Sequence, residues 1–414
     1  MMLTRRSVTV GSAALATSAV VLGPEALAAP RRLRRTSAES GQTVLDWERI
    51  AFRTLYTDTP VTPIPVGVPI LGFVSNAMHH AAQRSAHLGS SSESAAVAQA
   101  AHDVLVHYYP AFASKLDADL VTTFGVIGAG HERTKGARIG ADAGRDMVES
   151  RRGDGYLDTT IHYGKTAGAG VWTPNPPNTD MLAAWLGSVR PLYVEPVPVS
   201  GPFSLGSSAW AADYEEALLY GGGGATPTQR SQTQTDTAVF FDSNSATMVG
   251  DALVRYLESH PIGILGTARL FAMIHGAMTD ALINCWMLKR DVGFWRPFQA
   301  ISGAYDDTNG ATTPQPGWTP LRTMPNYSDY VSGHGCLTGP AVQVIRRTLG
   351  ETAQLELRSV NFPNNPRTYA RLTDLEFDAF HARIWGGFHF RKAMTDAYDI
   401  AHRTADAVMA AFGE

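Results

Sequence analysis

Apolar residues that recur every three or four positions, over segments far longer than a strand, leave this chain few ways to fold other than as packed helices. The longest such segment runs from Ile264 to Lys289. Others span Ser92 to Tyr108, Thr247 to Glu258, Gly335 to Leu349, Asp374 to Arg383 and Ala393 to Phe412. β-Branched alternation of period two is scarce, so the expected class is all-α. A chain of 414 residues exceeds the usual size of one core, which leaves one large domain and two packed halves both open. No internal repeat of fixed period is present.

The connections between these segments are long and rich in proline and glycine. Thr173 to Pro202 holds many of the prolines and leads through the helical Tyr214 to Leu219 into Gly221-Gly222-Gly223-Gly224, read as irregular surface chain with a flexible joint. Gly303 to Val331, with Asp306-Asp307, Asn309-Gly310, Pro314, Pro316 and Pro325, reads as a long ordered loop placed to shape access to a site. Val126 to Gly140 contains Gly128-x-Gly130 but lacks the strand, turn and helix of a dinucleotide fold, and reads as a turn.

The first 28 residues read as an address. Arg5-Arg6 precede an uncharged Ala- and Val-rich run from Ser7 to Leu22 that ends at Ala26-Leu27-Ala28, which suits a secretory signal, and the paired arginines favour twin-arginine export to an extracytoplasmic location. The run is too short for a membrane span, and the mature chain offers no other. Residues 29–40, with Arg31, Arg32, Arg34 and Arg35, read as a flexible basic leader and 41–414 as the folded part. A net charge of −4 makes a poor general nucleic-acid binder. The only cysteines, Cys285 and Cys336, exclude a disulfide-framed fold; whether the two pair stays open. The histidines outside the stretches described next show no shared zinc-ligand spacing.

Three separated stretches carry chemistry: Lys289-Arg290-Asp291-Val292-Gly293-Phe294-Trp295-Arg296-Pro297, then Ser332-Gly333-His334, then Arg383-Ile384-Trp385-Gly386-Gly387-Phe388-His389. In the first, two cations sit near one helix end, an arrangement that repels itself unless an anion lies between them. Solvated helix-end cations are the plain alternative. In the second, Ser332 and Gly333 open an apolar helix, where backbone N–H groups attract an anion and His334 is placed for acid–base work. An ordinary serine cap would look the same. In the third, Gly386-Gly387 can turn the chain so that Arg383 and His389, six apart, face one point; taken alone, a helix-end arginine and a core histidine among Trp385, Phe388 and Phe390 would look the same.

Together and in this order, Lys, six residues, Arg-Pro; Ser-Gly-His; and Arg, five residues, His, the stretches resemble the signature of the vanadium-dependent haloperoxidases and the related type 2 phosphatidic acid phosphatases. Arg269-Leu270-Phe271-Ala272, Thr279-Asp280-Ala281, Trp286 and Phe294-Trp295-Arg296-Pro297 look like the haloperoxidase branch. The resemblance covers roughly Trp210 to Ala411 and implies two helical bundles packed as one large domain, an N-terminal half at 41–209 and a half at 210–414 that bears the site. It implies that Lys289, Arg296 and Arg383 neutralise vanadate or phosphate, that Ser332 and the Gly333 amide hydrogen-bond it, that His389 is the apical residue and vanadium ligand, and that His334 is the acid–base.

The cofactor it implies is vanadate, with hydrogen peroxide and a halide as substrates; with phosphate in its place, the site would act on a phosphomonoester through a phosphohistidine on His389. A non-catalytic oxyanion binder is the third reading. Departures from the family pattern are Val331 where proline precedes Ser-Gly-His, Gly335 after it, and Phe390-Arg391-Lys392-Ala393 after His389. Tyr327 stands five before Ser332, where chloroperoxidases carry phenylalanine and bromoperoxidases often histidine. An oxidisable tyrosine and Cys336 near a hypohalite source favour bromide over chloride, and Trp286 and Tyr327 are the candidates for the substrate side.

Overall fold

A computed structural model describes residues 39–414. The stretches expected from sequence to be a signal peptide and, save for its last two residues, a basic leader lie outside the described residues. From residue 39 the chain builds a first group of helices: α1 (Gln42–Tyr56), α2 (Ile64–Leu88), α3 (Glu93–Tyr108), α4 (Ala113–Ile127) and α5 (His131–Ser150). The Ser92 side chain accepts from the Ala95 N–H and, with Glu93 behind it, starts α3 where the sequence places a cap. Helices α2, α3 and α5 pack on one another. The α3–α5 approach is close because Gly136 and Gly140 leave room for the Ser92 and Ala96 carbonyls, each 2.2 Å from where a Cβ would stand.

Residues 151–207 are irregular apart from a 3-10 turn at Ala184–Ser188. The second group follows: α6 (Ser208–Gly221), α7 (Gln232–Phe240), α8 (Ser245–Ser259), α9 (Gly263–Asp291), α10 (Pro297–Ile301), α11 (Gly335–Leu349), α12 (Leu372–Trp385) and α13 (Arg391–Ala411). Its centre is α9, of whose 29 residues 22 are buried. A helix apolar on every side has no solvent face to offer, and α9 accordingly packs on α11 and α13 on one side and on α2 on the other. One continuous apolar core therefore runs from Val44 to Met409.

Among the described residues the only strands form one antiparallel hairpin, β1 (Leu355–Ser359) and β2 (Phe362–Tyr369), in which Leu355 faces Tyr369 and Ser359 faces Phe362. Two local readings change. Only Gly128 to Gly130 is turn; the rest of 126–140 closes α4 and opens α5. The Gly221–Gly224 run is packed rather than a loose joint. A Cβ at Gly221 would stand 2.7 Å from the Gly387 Cα and one at Gly223 2.4 Å from the Leu321 Cα, so these glycines let three backbone segments meet beside the site. No described helix is long and apolar enough to cross a membrane, and no group of three metal-ligating side chains occurs among the described residues.

Candidate functional site

The end of α9 delivers the first cation. Lys289 is fully buried, and its ammonium donates to the Ser328 and Asp329 carbonyls at 2.7 and 3.0 Å. Beyond α9 the chain is extended at Arg296, because Pro297 occupies the first turn of α10 and bars helix before it. The Arg296 guanidinium, also fully buried, donates from Nε to Tyr327 O and from Nη1 to Phe388 O, both at 2.7 Å, while Nη2 has no protein partner. The 303–331 loop thus ends as the carbonyl-lined floor under both cations. Burial lowers both affinities for a proton, and Lys289 falls to about 8.

Ser332-Gly333-His334 lies at the start of α11, with the Ser332 Oγ 3.4 Å from the Gly335 N–H. A side chain on Gly333 would press against the Trp286 ring, 3.2 Å from its Cβ position. Half-buried His334 has its Nε2 3.1 Å from the Ser243 carbonyl. A carbonyl only accepts, so Nε2 carries the proton and Nδ1 keeps its lone pair. Burial, and then the nearby Arg383, push this imidazole well below its ordinary value.

Helix α12 ends at Trp385, and Gly387, at φ +72°, turns the chain so that the Phe388 and His389 N–H groups both return to Arg383 O, at 3.0 and 3.3 Å. That turn sets the two side chains together. The Arg383 guanidinium lies 3.7 Å from the Phe388 ring centroid and donates to Phe241 O at 3.3 Å, but its buried Nε has no protein partner. Burial brings it down to about 10, against the opposing pull of Asp242. The buried His389 has its Nδ1 2.8 Å from the Asp329 Oδ1. Burial, with Arg296, Lys289 and Arg383 around it, holds the ring well below its ordinary value.

Three buried cations converge on a space with one buried carboxylate, Asp329, and two guanidinium donors there lack any protein acceptor. Unpaired charge in a protein interior is costly. A tetrahedral oxyanion removes the cost, since it brings both charge and acceptors for the two guanidinium forks. The donor set fits vanadate or phosphate.

Comparison with known proteins bears on the same region. Residues 269–413 match the family described as the VCPO second helical-bundle domain. By sequence, the C-terminal bundle belongs to the vanadium haloperoxidase family. A vanadium chloroperoxidase of Curvularia inaequalis is 29% identical over 168 residues, 33% of this chain and 27% of that one, so the alignment spans about a quarter of the relative's length. Among solved structures, a bacterial vanadium-dependent iodoperoxidase superposes with a TM-score of 0.71 over 92% of this chain and 98% of its own, at 16% identity. A holo-type bacterial vanadium-dependent chloroperoxidase gives 0.62 over 84% and 91%, also at 16% identity. Likeness at that identity establishes the shared fold, which extends through α1 to α5.

The haloperoxidase-family match contains every residue of the cradle, from Lys289 to His389. The Trp286 and Tyr327 rings pack at a tilt with centroids 4.9 Å apart, and Lys289 Nζ lies 5.8 and 5.0 Å from them. They wall the cations, with Arg296 5.0 Å from the Tyr327 ring, and Trp286 is anchored by its indole N–H to Leu182 O. Cys285 and Cys336, on α9 and α11, are buried free thiols. Asp329 is the residue that sequence reasoning missed. Burial pushes its carboxyl up to about 8 while Arg296 and Lys289 pull it down. Its one sequence signal is its place three before Ser332, and nothing in that spacing distinguishes it from any loop aspartate.

Proposed function

We propose that this chain is a vanadate-dependent haloperoxidase, exported through its twin-arginine signal, that oxidises a halide with hydrogen peroxide, bromide in preference to chloride. The reading takes 41–414 as one domain whose 210–414 half bears the site. The observation that carries it is the pair of buried, partnerless guanidinium atoms, Arg296 Nη2 and Arg383 Nε, in a cradle that also holds two histidines with differently engaged nitrogens.

Lys289, Arg296 and Arg383 would hold the oxyanion by charge, Ser332 by its hydroxyl and Gly333 by its amide, and His389 would meet it through Nε2. Bound vanadate would supply the Lewis acidity that activates hydrogen peroxide toward a halide. In the overall change the halide gives two electrons to the peroxide, the O–O bond breaks, one proton is taken up and water leaves. His334 is suited to that proton: with Nε2 tied to Ser243 O, its Nδ1 can take a proton and return it. The low affinity set by burial and Arg383 keeps this nitrogen free at neutral pH. Tyr327 supports bromide over chloride, because a phenol packed on Lys289 and Arg296 is exposed to whatever oxidant forms there, and hypochlorite is the harsher one.

The same cradle supports a second reading. With phosphate in place of vanadate, His389 Nε2 becomes a nucleophile toward a phosphomonoester and His334 the acid for its leaving group. The test is a paired assay on phosphate-free protein: dye bromination with vanadate, peroxide and bromide, with chloride and iodide arms, beside hydrolysis of p-nitrophenyl phosphate. Bromination that requires vanadate is the expected result. Hydrolysis inhibited by vanadate without any halogenation would overturn the peroxidase reading in favour of the phosphatase, and phosphate affinity with neither turnover would leave a binding protein. In either enzyme His334→Ala keeps the anion and slows turnover by about 100- to 10,000-fold, whereas His389→Ala loses anion affinity.

A further inference from the structure

Asp329 occupies a position that no motif assigns, at the point where the three chemistry-bearing stretches meet. Its carbonyl accepts from Lys289 Nζ at 3.0 Å, its N–H donates to Phe294 O at 2.9 Å, and its carboxyl reaches His389 Nδ1 at 2.8 Å. Side chains of both Asp329 and His389 are within 2% of complete burial. An imidazole has one proton to place when neutral, and the partner of one nitrogen decides what the other can do. A ring that is to offer a lone pair from Nε2 must carry its proton on Nδ1, and an acceptor held there in a dry site fixes both the tautomer and the ring's rotation.

We propose that Asp329 is the positioning residue of the apical histidine, accepting from His389 Nδ1–H so that Nε2 is presented, unprotonated and aimed, to the oxyanion. This inference rests on the cradle's being an oxyanion site but not on whether the bound species is a peroxidase cofactor or a phosphoryl group. Partners of this kind typically change affinity by about 10- to 100-fold when removed, and the loss belongs to the anion rather than to the fold.

The experiment compares wild type with Asp329→Leu, which keeps approximate volume but offers no acceptor, with Asp329→Asn, which keeps an acceptor oxygen, and with His389→Ala. Orthovanadate affinity is measured by titration without peroxide, halide or phosphoester, and the His389 tautomer is read from ¹⁵N shifts of histidine-labelled protein. The expected result is a tenfold or larger loss of vanadate affinity in Asp329→Leu, recovery of most of it in Asp329→Asn, and an Nδ1–H tautomer in wild type and Asn but not Leu. Wild-type affinity in Asp329→Leu beside a weakened His389→Ala would overturn the proposal alone; unchanged affinity in His389→Ala would instead bring down the site reading beneath it. Weakened binding with an unchanged tautomer would make Asp329 a structural residue and also overturn the role. Should Asp329→Leu fail to fold, an Nε2–H tautomer in the wild type suffices to refute it.

Discussion

Replacing Arg383 by methionine should make the anion-free protein more stable and reduce the stability that the anion adds. The residue is 2% exposed, and burial brings its guanidinium well below its ordinary value, down to about 10. At about 1.4 kcal/mol per pH unit, this corresponds to a cost on the order of 3 kcal/mol for keeping it charged in the folded chain. Methionine gives up the 3.3 Å bond to Phe241 O, worth about 1 kcal/mol. It also exchanges the guanidinium's stacking on Phe388, 3.7 Å away, for a sulfur–aromatic contact of similar size. The net expectation is a gain of about 2 kcal/mol without anion. On the bound side the variant loses at least one charge-assisted hydrogen bond, about 1.5–3 kcal/mol, or roughly 10- to 150-fold in vanadate or phosphate affinity. Since a ligand that binds only the folded state stabilises it by RT ln(1 + [L]/Kd), the variant's advantage should shrink as vanadate is added and reverse where the affinity loss exceeds about 30-fold. Urea unfolding in phosphate-free buffer, repeated across a vanadate titration, reads both limbs. A variant less stable than wild type under both conditions would mean that Arg383 holds the fold together rather than the anion, and the argument from unpaired buried charge would fail.

The remaining expectations are more local. Glu48, buried against Ser75 and His275, is raised by burial to about 8, so its stabilising contribution is fully present below its ordinary 4.5 and fades as pH rises toward 8. Glu48→Gln should therefore gain on wild type by up to about 1.4 kcal/mol per pH unit across that window; parallel stability curves would show instead that Glu48 and His275 form an ion pair. Gly387→Ala places a side chain at φ +72° with its Cβ 2.4 Å from Gly221 O, which should cost about 1–2 kcal/mol in backbone strain alone and weaken vanadate binding by displacing His389 from Arg383. Unchanged affinity in a folded Gly387→Ala would show that the turn does not set the cradle. Cys285 and Cys336 should resist a thiol reagent in the native protein and both react once it is unfolded in the absence of reductant; no reactive thiol after unfolding would mean that they are joined.

What could be read from the sequence and what could not divide along a physical line. The helix ends that bring Lys289, Arg296, Ser332 and Arg383 to one place are set by neighbours within a few residues: Pro297 barring helix at Arg296, Ser332 and Gly333 opening α11, Gly387 closing α12. Such signals survive in a one-dimensional string, and so the cradle was legible by residue. Asp329 was not, because its role exists only through contact with His389, 60 positions away. Gly221 to Gly224 misled for the same reason: a glycine that gives freedom and a glycine that gives room look alike until the backbone against it, here Gly387 and Leu321, is known. The hairpin escaped because β1, in which Leu355 and Leu357 alternate with Glu356 and Arg358, is only five residues long, and β2 carries Pro363 and Pro366 and shows no alternation. Burial, too, was invisible, and it changes the argument most. Lys289, Arg296 and Arg383 at helix ends in water would be ordinary solvated cations; the same three enclosed, with donors left over, are unfavourable for the empty fold. Local rules of stability are broken here on a large scale by a chain that keeps them elsewhere, as in the Ser92 cap of α3 and the continuous apolar core. That contrast argues for an anion more strongly than the spacing of the motifs.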